Sequence, residues 1–278
     1  MELVKPEPLI IGGRPHYTLT SYDPVSIEVD VASTSDADVE LALQMTVTQM
    51  GGGPAELNNE AWIRENFEGL HNAAELRELV RQELTAMNAQ AAEQQKTQKC
   101  AQALASRLMQ SVLNTSVIQM QQAVAESFAY SMQEQGITEA QFLARSGMRK
   151  SDLQAMLAAQ AKDAAEQEAA ISAWLDHRKL QMSDDELPEY LGLPSMDDPR
   201  KMMQSLRSSG QLEAAREFAL RNKALEIIVA EASCTYRHET PAEAQARTAK
   251  VRASLTAQLQ AQRQKPNASR ERPKLKLV

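Results

Sequence analysis

The sequence predicts a mainly α fold with a small N-terminal arm that contains a β-strand and a helix. Aromatic residues are only 4% of the composition, whereas Met occurs 13 times and Ala and Gln recur throughout, which favours long helices over a dense sheet core. One stretch alternates with the period of a strand, with Val25, Ile27 and Val29 between polar residues. Elsewhere, apolar positions recur at helical spacing between capping residues and glycine stops.

The first 53 residues form the predicted N-terminal arm. Because a single strand over 25–31 cannot be stable alone, we expect residues 17–20 to pair with it, or the whole arm to lie against the helical body. Ser35 or Asp36 then caps a helix that runs up to the glycines at 51–53. The three glycines lack the lysine and the preceding strand of a phosphate-binding loop, which indicates a flexible joint.

Residues 54–240 are predicted to form a helical domain that contains no further strand. A long helix begins after Asn72 and becomes polar over 89–98, which is typical of a spacer between two packed regions. Short breaks between the helices that follow predict two protruding hairpin arms, at about 113–182 and 183–236. Because an extended hairpin cannot bury all its apolar residues, we expect a cradle between the arms.

The last segment, 241–278, is predicted to be an Ala/Gln-rich helix followed by a basic tail. The helix carries little apolar stripe, so we expect it to be exposed or frayed. The tail is most simply a solvated chain end, with weak contact to an acidic partner as the alternative.

No pattern in the chain predicts catalysis, a metal site or a cofactor. The four histidines lack the spacing of a zinc site, and Cys100 and Cys234 belong to no redox motif. The net charge of −7 argues against nucleic acid as a partner. We expect a cytoplasmic protein without membrane contact, because the N-terminus lacks the apolar run of a signal peptide and no segment approaches a membrane-spanning length.

Segments on both sides of the glycine junction resemble those that flank the prolyl isomerase domain of trigger factor, the bacterial folding chaperone. Residues 17–29 and 35–43 resemble the strand and helix that lead into that domain. Residues 56–63 and 74–84 resemble the start of the helical chaperone domain that follows it.

The resemblance continues through 198–204 and 215–229, which look like the last two arm helices of the family, and spans about residues 14–236. It implies the helical chaperone domain without the isomerase domain, because the short glycine junction cannot supply a catalytic pocket. The family's ribosome-docking signature has no counterpart in the chain, and this departure from the family makes ribosome binding doubtful. We therefore expect no enzymatic activity.

The resemblance and the predicted arms together indicate an ATP-independent holdase that binds unfolded or nascent polypeptide in the cradle. Methionine suits adaptable binding surfaces, although core packing is the simpler interpretation of any single methionine. The residues expected to bind clients are Phe128, Met132, Phe142, Met148, Leu153 and Met156 on the first arm and Met202, Met203 and Leu206 on the second.

Two alternatives stay open at this point. The chain could catalyse prolyl cis–trans isomerisation, as the family label would state. It could instead be a helical scaffold whose arms grip one fixed partner or a second copy of the chain, which would make it a homodimer.

Overall fold

The structure is a computed structural model that describes residues 5–192 and 199–264. Helices make up most of these residues, which confirms the predicted mainly α fold. The chain divides into two compact units, each built from segments that are distant in sequence. The first unit contains the described parts of Met1–Asp30 and Ala92–Arg237, and the second contains those of Val31–Ala91 and His238–Val278.

The described residues form short strands and longer helices, named here in chain order. They are β1 (Leu9–Ile11), β2 (Arg14–His16), β3 (Ser26–Val31), α1 (Asp36–Gln49), a 3-10 turn (Glu56–Asn58), α2 (Glu60–Asn66), α3 (Ala73–Ala105), α4 (Asn114–Glu134), α5 (Glu139–Ser146), α6 (Lys150–Arg178), α7 (Leu187–Tyr190), α8 (Pro199–Ser208), α9 (Leu212–Glu231), β4 (Ser233–His238) and α10 (Pro241–Gln264).

The second unit is a small helical cluster around one hydrophobic core. Helix α1 begins where predicted: the Ser35 hydroxyl accepts a hydrogen bond from the Asp38 N–H, and the Asp38 carboxylate accepts one from the Ser35 N–H. The apolar face of α1 packs against the 3-10 turn, α2 and the N-terminal part of α3. The buried residues of this core are Val39, Leu43, Val47, Leu57, Ile63, Leu76 and Val80.

The glycine junction is packed in this unit, which differs from the flexible joint that the sequence predicts. The Gly52 N–H donates to the Val47 carbonyl at 2.8 Å. A Cβ atom at Gly52 would lie 2.7 Å from Val47 Cγ1 and 3.2 Å from the Trp62 ring. The next glycine, Gly53, donates its N–H to the Glu56 carboxylate at 2.9 Å. The junction therefore forms a tight connection between α1 and the 3-10 turn.

The expectation that the helix after Thr240 is exposed or frayed is wrong for its first turns. Ala244 and Thr248 are only 1% and 3% exposed, and the Thr248 hydroxyl donates to the Asp38 carboxylate. Arg247 donates to Asp38 at 3.0 Å and to Glu239 at 3.0 Å. Helix α10 thus packs on α1 through small side chains and a polar network, neither of which forms an apolar stripe.

The described part of the first unit contains two small sheets, and β3 is the one of their four strands that the sequence predicts. Strand β3 is found where predicted, but it pairs with β4, although no strand was expected after residue 54. Hydrogen bonds from the Ser233 N–H to the Val25 carbonyl and from the Glu239 N–H to the Val31 carbonyl, both 2.9 Å, make this pairing parallel. Strands β1 and β2 form an antiparallel hairpin.

Residues 17–20 do not pair with β3 and instead lie against the segment after α3. Leu19 forms a bridge with Leu108, and the Thr20 N–H donates to the Arg107 carbonyl at 2.8 Å. This arrangement agrees with the alternative expectation, that the arm lies against the helical body.

Candidate functional site

The first arm consists of α4, α5 and the N-terminal half of α6, and α4 packs against α6. No residue of α4 is fully buried. Its half-buried apolar side chains recur three or four residues apart, so they form one stripe along the helix. In a hairpin of two helices, the neighbouring helix covers only part of such a stripe. The stripe consists of Val117, Met120, Val124, Phe128 and Met132.

Two of the predicted residues meet near the end of the first arm. The rings of Phe128 and Phe142 pack edge to face, with their centroids 5.2 Å apart. Phe142 lies on α5, whose start is fixed by a capping box between Thr138 and Gln141. Gly147 ends α5 in the left-handed conformation that favours glycine. The capping residues thus hold an aromatic pair at this end of the arm.

The second arm consists of α7, α8 and α9 around a small apolar core. Tyr190, Leu191, Leu206, Leu212 and Leu220 surround this core as partly buried side chains. The buried members are Met182, Leu187, Met203 and Ala219.

Ion pairs tie the turn before α7 to the helices that follow it. The Asp184 carboxylate lies 3.0 Å from the Arg207 guanidinium and 2.5 Å from that of Arg216. The Glu186 carboxylate lies 2.5 Å from the Lys223 ammonium. Hydrogen bonds from Lys223 and from the preceding turn lower the pKa of Glu186 to about 2. These ion pairs hold the turn before α7 against helices α8 and α9.

Within the first unit, the C-terminal half of α6 packs against α9 and so joins the two arms. Ion pairs link Glu168 to Arg221 and Arg178 to Glu231. Small side chains let neighbouring helices approach α6 closely. The buried alanines along this half are Ala165, Ala169, Ala170 and Ala173, and Ala161 lies just before it.

The nine residues predicted to bind clients differ in their exposure. Met156 and Met202 have 43% and 36% of their surface exposed. Leu153 and Met203, at 3% and 9%, are buried and contribute to the packing of their arms. The other five are half-buried, namely Phe128, Met132, Phe142, Met148 and Leu206.

Three further large apolar side chains on the arms are exposed and were not among the predicted residues. Ile118, Tyr130 and Phe218 have 54%, 63% and 54% of their surface exposed. Each has only polar residues or alanine three and four positions away along its helix. That pattern places a side chain outside the apolar stripe of its helix, and it can be recognised from the sequence alone.

No group of three or more His, Cys, Asp or Glu side chains in ranges 5–192 and 199–264 could hold a metal ion. Within the same ranges, no helix is long and apolar enough to cross a membrane.

Comparison with known proteins identifies the family. The model for the bacterial trigger factor protein (TF) C-terminus matches residues 72–230, which is more than half of the chain. The match includes the whole of α3 and both arms, apart from the last residue of α9. A search of curated proteins found no match. The chain therefore belongs to the trigger factor family of chaperones, through the C-terminal domain of that family.

Proposed function

We propose that this protein is an ATP-independent holdase that binds unfolded polypeptide on the apolar surfaces of its two arms. The observation that carries the proposal is the open apolar surface of α4, a helix of the first arm. None of its residues is fully buried, its apolar stripe is half-buried, and Ile118 and Tyr130 beside the stripe are exposed. A long helix that keeps its apolar face half open is suited to a partner that covers this face transiently.

The character of the stripe supports binding of many different clients. Methionine side chains are flexible and polarisable, so Met120 and Met132 can adapt to differently shaped apolar segments. Helix α4 carries no Lys or Arg, and its only acids are Glu126 and Glu134. A nearly uncharged surface imposes little electrostatic selection on its partners.

The test is suppression of aggregation by an arm variant that is designed to fold. Tyr130→Lys with Met156→Lys places charges at exposed positions of α4 and α6, where little packing is lost. Burying each of these side chains against a client contributes about 1 kcal/mol. We therefore expect the double variant to bind clients about tenfold to thirtyfold more weakly. Light scattering of heat-denatured citrate synthase without nucleotide measures the effect.

The matched control is Gln122→Lys with Gln154→Lys, which adds the same charges at exposed polar positions of the same two helices. The control variant should suppress aggregation as well as the wild type does. Equal suppression by both double variants would contradict binding on the arms. Capture of one stoichiometric protein without any suppression of aggregation would favour a scaffold with a fixed partner.

The proposal assigns no catalytic step to the chain. In support, α1 ends at Gln49 and the next turn begins at Glu56, and these two elements pack in one core. By the sequence resemblance described above, this short packed junction corresponds to the point at which the family carries its isomerase domain. Acceleration of proline isomerisation in a test peptide at enzyme excess, retained in a fragment of residues 54–240, would contradict this part of the proposal.

A further inference from the structure

The β1–β2 hairpin presents an aliphatic strand that is open to solvent. Leu9, Ile10 and Ile11 have 71%, 57% and 60% of their surface exposed. Successive side chains of a strand point to opposite faces, so the hairpin is open on both faces. Exposed apolar edge strands are usually protected in folded proteins, because they pair readily with other chains.

The hairpin is held in place at both ends. On one side, the Pro6 carbonyl accepts a hydrogen bond from the Ser111 N–H at 2.8 Å. On the other side, Tyr17 and Leu19 are both only 5% exposed, and the Met109 N–H donates to the Thr18 carbonyl at 3.0 Å. The exposed strand is therefore a fixed part of the first unit.

The register of the hairpin leaves the main chain of Ile10 free to pair outward. The turn residues Gly12 and Gly13 have φ values of 58° and 80°, as in the two-residue turns of tight hairpins. Ile11 pairs with Arg14, and Ile10 lies opposite Pro15. Because the pair next to such a turn exchanges hydrogen bonds and the following pair does not, the N–H and C=O of Ile10 point away from β2.

The two edges of the hairpin differ in their protection. On β2 the outward position is Pro15, which has no N–H to donate. Both neighbours of Pro15 lie close to carboxylates: the Arg14 guanidinium is 2.7 Å from Glu217, and His16 Nδ1 is 3.6 Å from Asp176. Strand β1 has no charged side chain. Only the β1 edge is therefore suited to an added strand.

We propose that the outer edge of β1 binds an extended apolar segment of an unfolded polypeptide as a third strand. Main-chain hydrogen bonds to Ile10 hold the segment, and Leu9, Ile10 and Ile11 contact its side chains. A second copy of the chain is a poorer occupant, because a stable dimer buries about 1,200–2,000 Å² in total and a three-residue edge offers much less. The inference rests on the proposed function for the nature of its ligand, but this site is separate from the arm surface.

The test uses the full chain with reduced, carboxymethylated α-lactalbumin as the unfolded probe. A photoreactive benzophenone side chain is placed at position 9 in one sample and at position 156 in another. Crosslinks to the probe are identified by mass spectrometry, and hydrogen exchange of the Ile10 amide is measured with and without the probe. We expect crosslinks from both positions and at least fivefold slower exchange at Ile10 when the probe is bound.

The variant Ile10→Pro removes the outward N–H and leaves the pairing of the hairpin intact, whereas Ile10→Ala keeps this donor. Ile10→Pro should abolish the crosslink from position 9 and keep the one from position 156, while Ile10→Ala should retain both. Crosslinks from position 156 alone in the otherwise unchanged chain would overturn the inference and leave the proposed function standing. Crosslinks from neither position would overturn both, and crosslinked pairs of the chain itself would identify a second copy as the occupant and overturn the inference.

Discussion

Gly52 is the residue whose role differs most from its appearance in the sequence. In a run of three glycines it looks like part of a mobile joint, yet its Cα lies against Val47 and Trp62 in the core of the second unit. The neighbouring Gly53 has far more room, since a Cβ there would meet only a Glu56 carboxylate oxygen at 3.4 Å. The requirement for glycine at position 52 comes from the packing of Val47 and Trp62 around it, and no local pattern in the sequence reveals it.

The contrast between the two glycines gives a residue-scale prediction. Gly52→Ala should lower the free energy of unfolding of the second unit by about 1–3 kcal/mol, because overpacking a core costs this much. Gly53→Ala should change it by less than about 0.5 kcal/mol. Urea unfolding, followed by the fluorescence of Trp62 in a Trp174→Phe background, measures both values. Similar small effects at the two positions would show that the junction is not packed.

At the scale of elements, the attachment of α10 to α1 depends on the partly buried carboxylate of Asp38. Burial by itself would raise the pKa of Asp38, but hydrogen bonds from Ser35, Thr248 and Arg247 outweigh it and lower the pKa from 3.8 to about 2. The Asp38 side chain is only 12% exposed, so solvent screens these bonds weakly. The hydrogen bond from Arg247 also lowers the pKa of Glu239.

This shift predicts how the stability of the second unit depends on pH. Because the pKa of Asp38 is lower in the folded state, its contribution is present above about pH 4 and is lost as the pH falls towards about 2. The contribution at pH 7 is about 2 kcal/mol. Asp38→Asn should lose this amount at pH 7 and flatten the stability curve between pH 4 and 2. An unchanged curve in urea titrations at these pH values would contradict the assignment.

The same elements show what could be predicted from the sequence and what could not. The cap at Ser35 and the helical character of both arms follow from local patterns, and the structure has them where they are predicted. Strand β4 was missed because Ser-Cys-Thr-Tyr-Arg-His has no apolar alternation, and its main-chain partner β3 lies about two hundred residues earlier. The packing of α10 was missed for a similar reason, since Asp38 and Arg247 are far apart in the chain.

The candidate site was predictable in part. Spacing places Phe128 and Met132 on one stripe of α4, but it does not distinguish a half-buried residue from a buried one. Leu153 and Met203 have the same apolar character and are covered by their own arms. Which apolar residues remain open depends on how many helices surround them, and that is a property of the fold.

At the scale of the whole molecule, a chain of the trigger factor family is proposed to act by binding alone. The apolar surfaces that it offers lie on the two helical arms and on the β1 strand of the first unit. The arms offer adaptable side chains, and the strand offers a main-chain edge. Together they suit a polypeptide that has lost its fold, since such a chain exposes both apolar side chains and unpaired backbone.

The most direct test of this account is the affinity of the full chain for unfolded and native forms of one protein. Fluorescence titration with labelled α-lactalbumin, carboxymethylated or native, should show binding of the unfolded form only, without nucleotide. The affinity should fall about tenfold to thirtyfold in Tyr130→Lys with Met156→Lys and stay unchanged in Gln122→Lys with Gln154→Lys. Equal affinity for the native and unfolded forms, or no loss in the arm variant, would contradict the account.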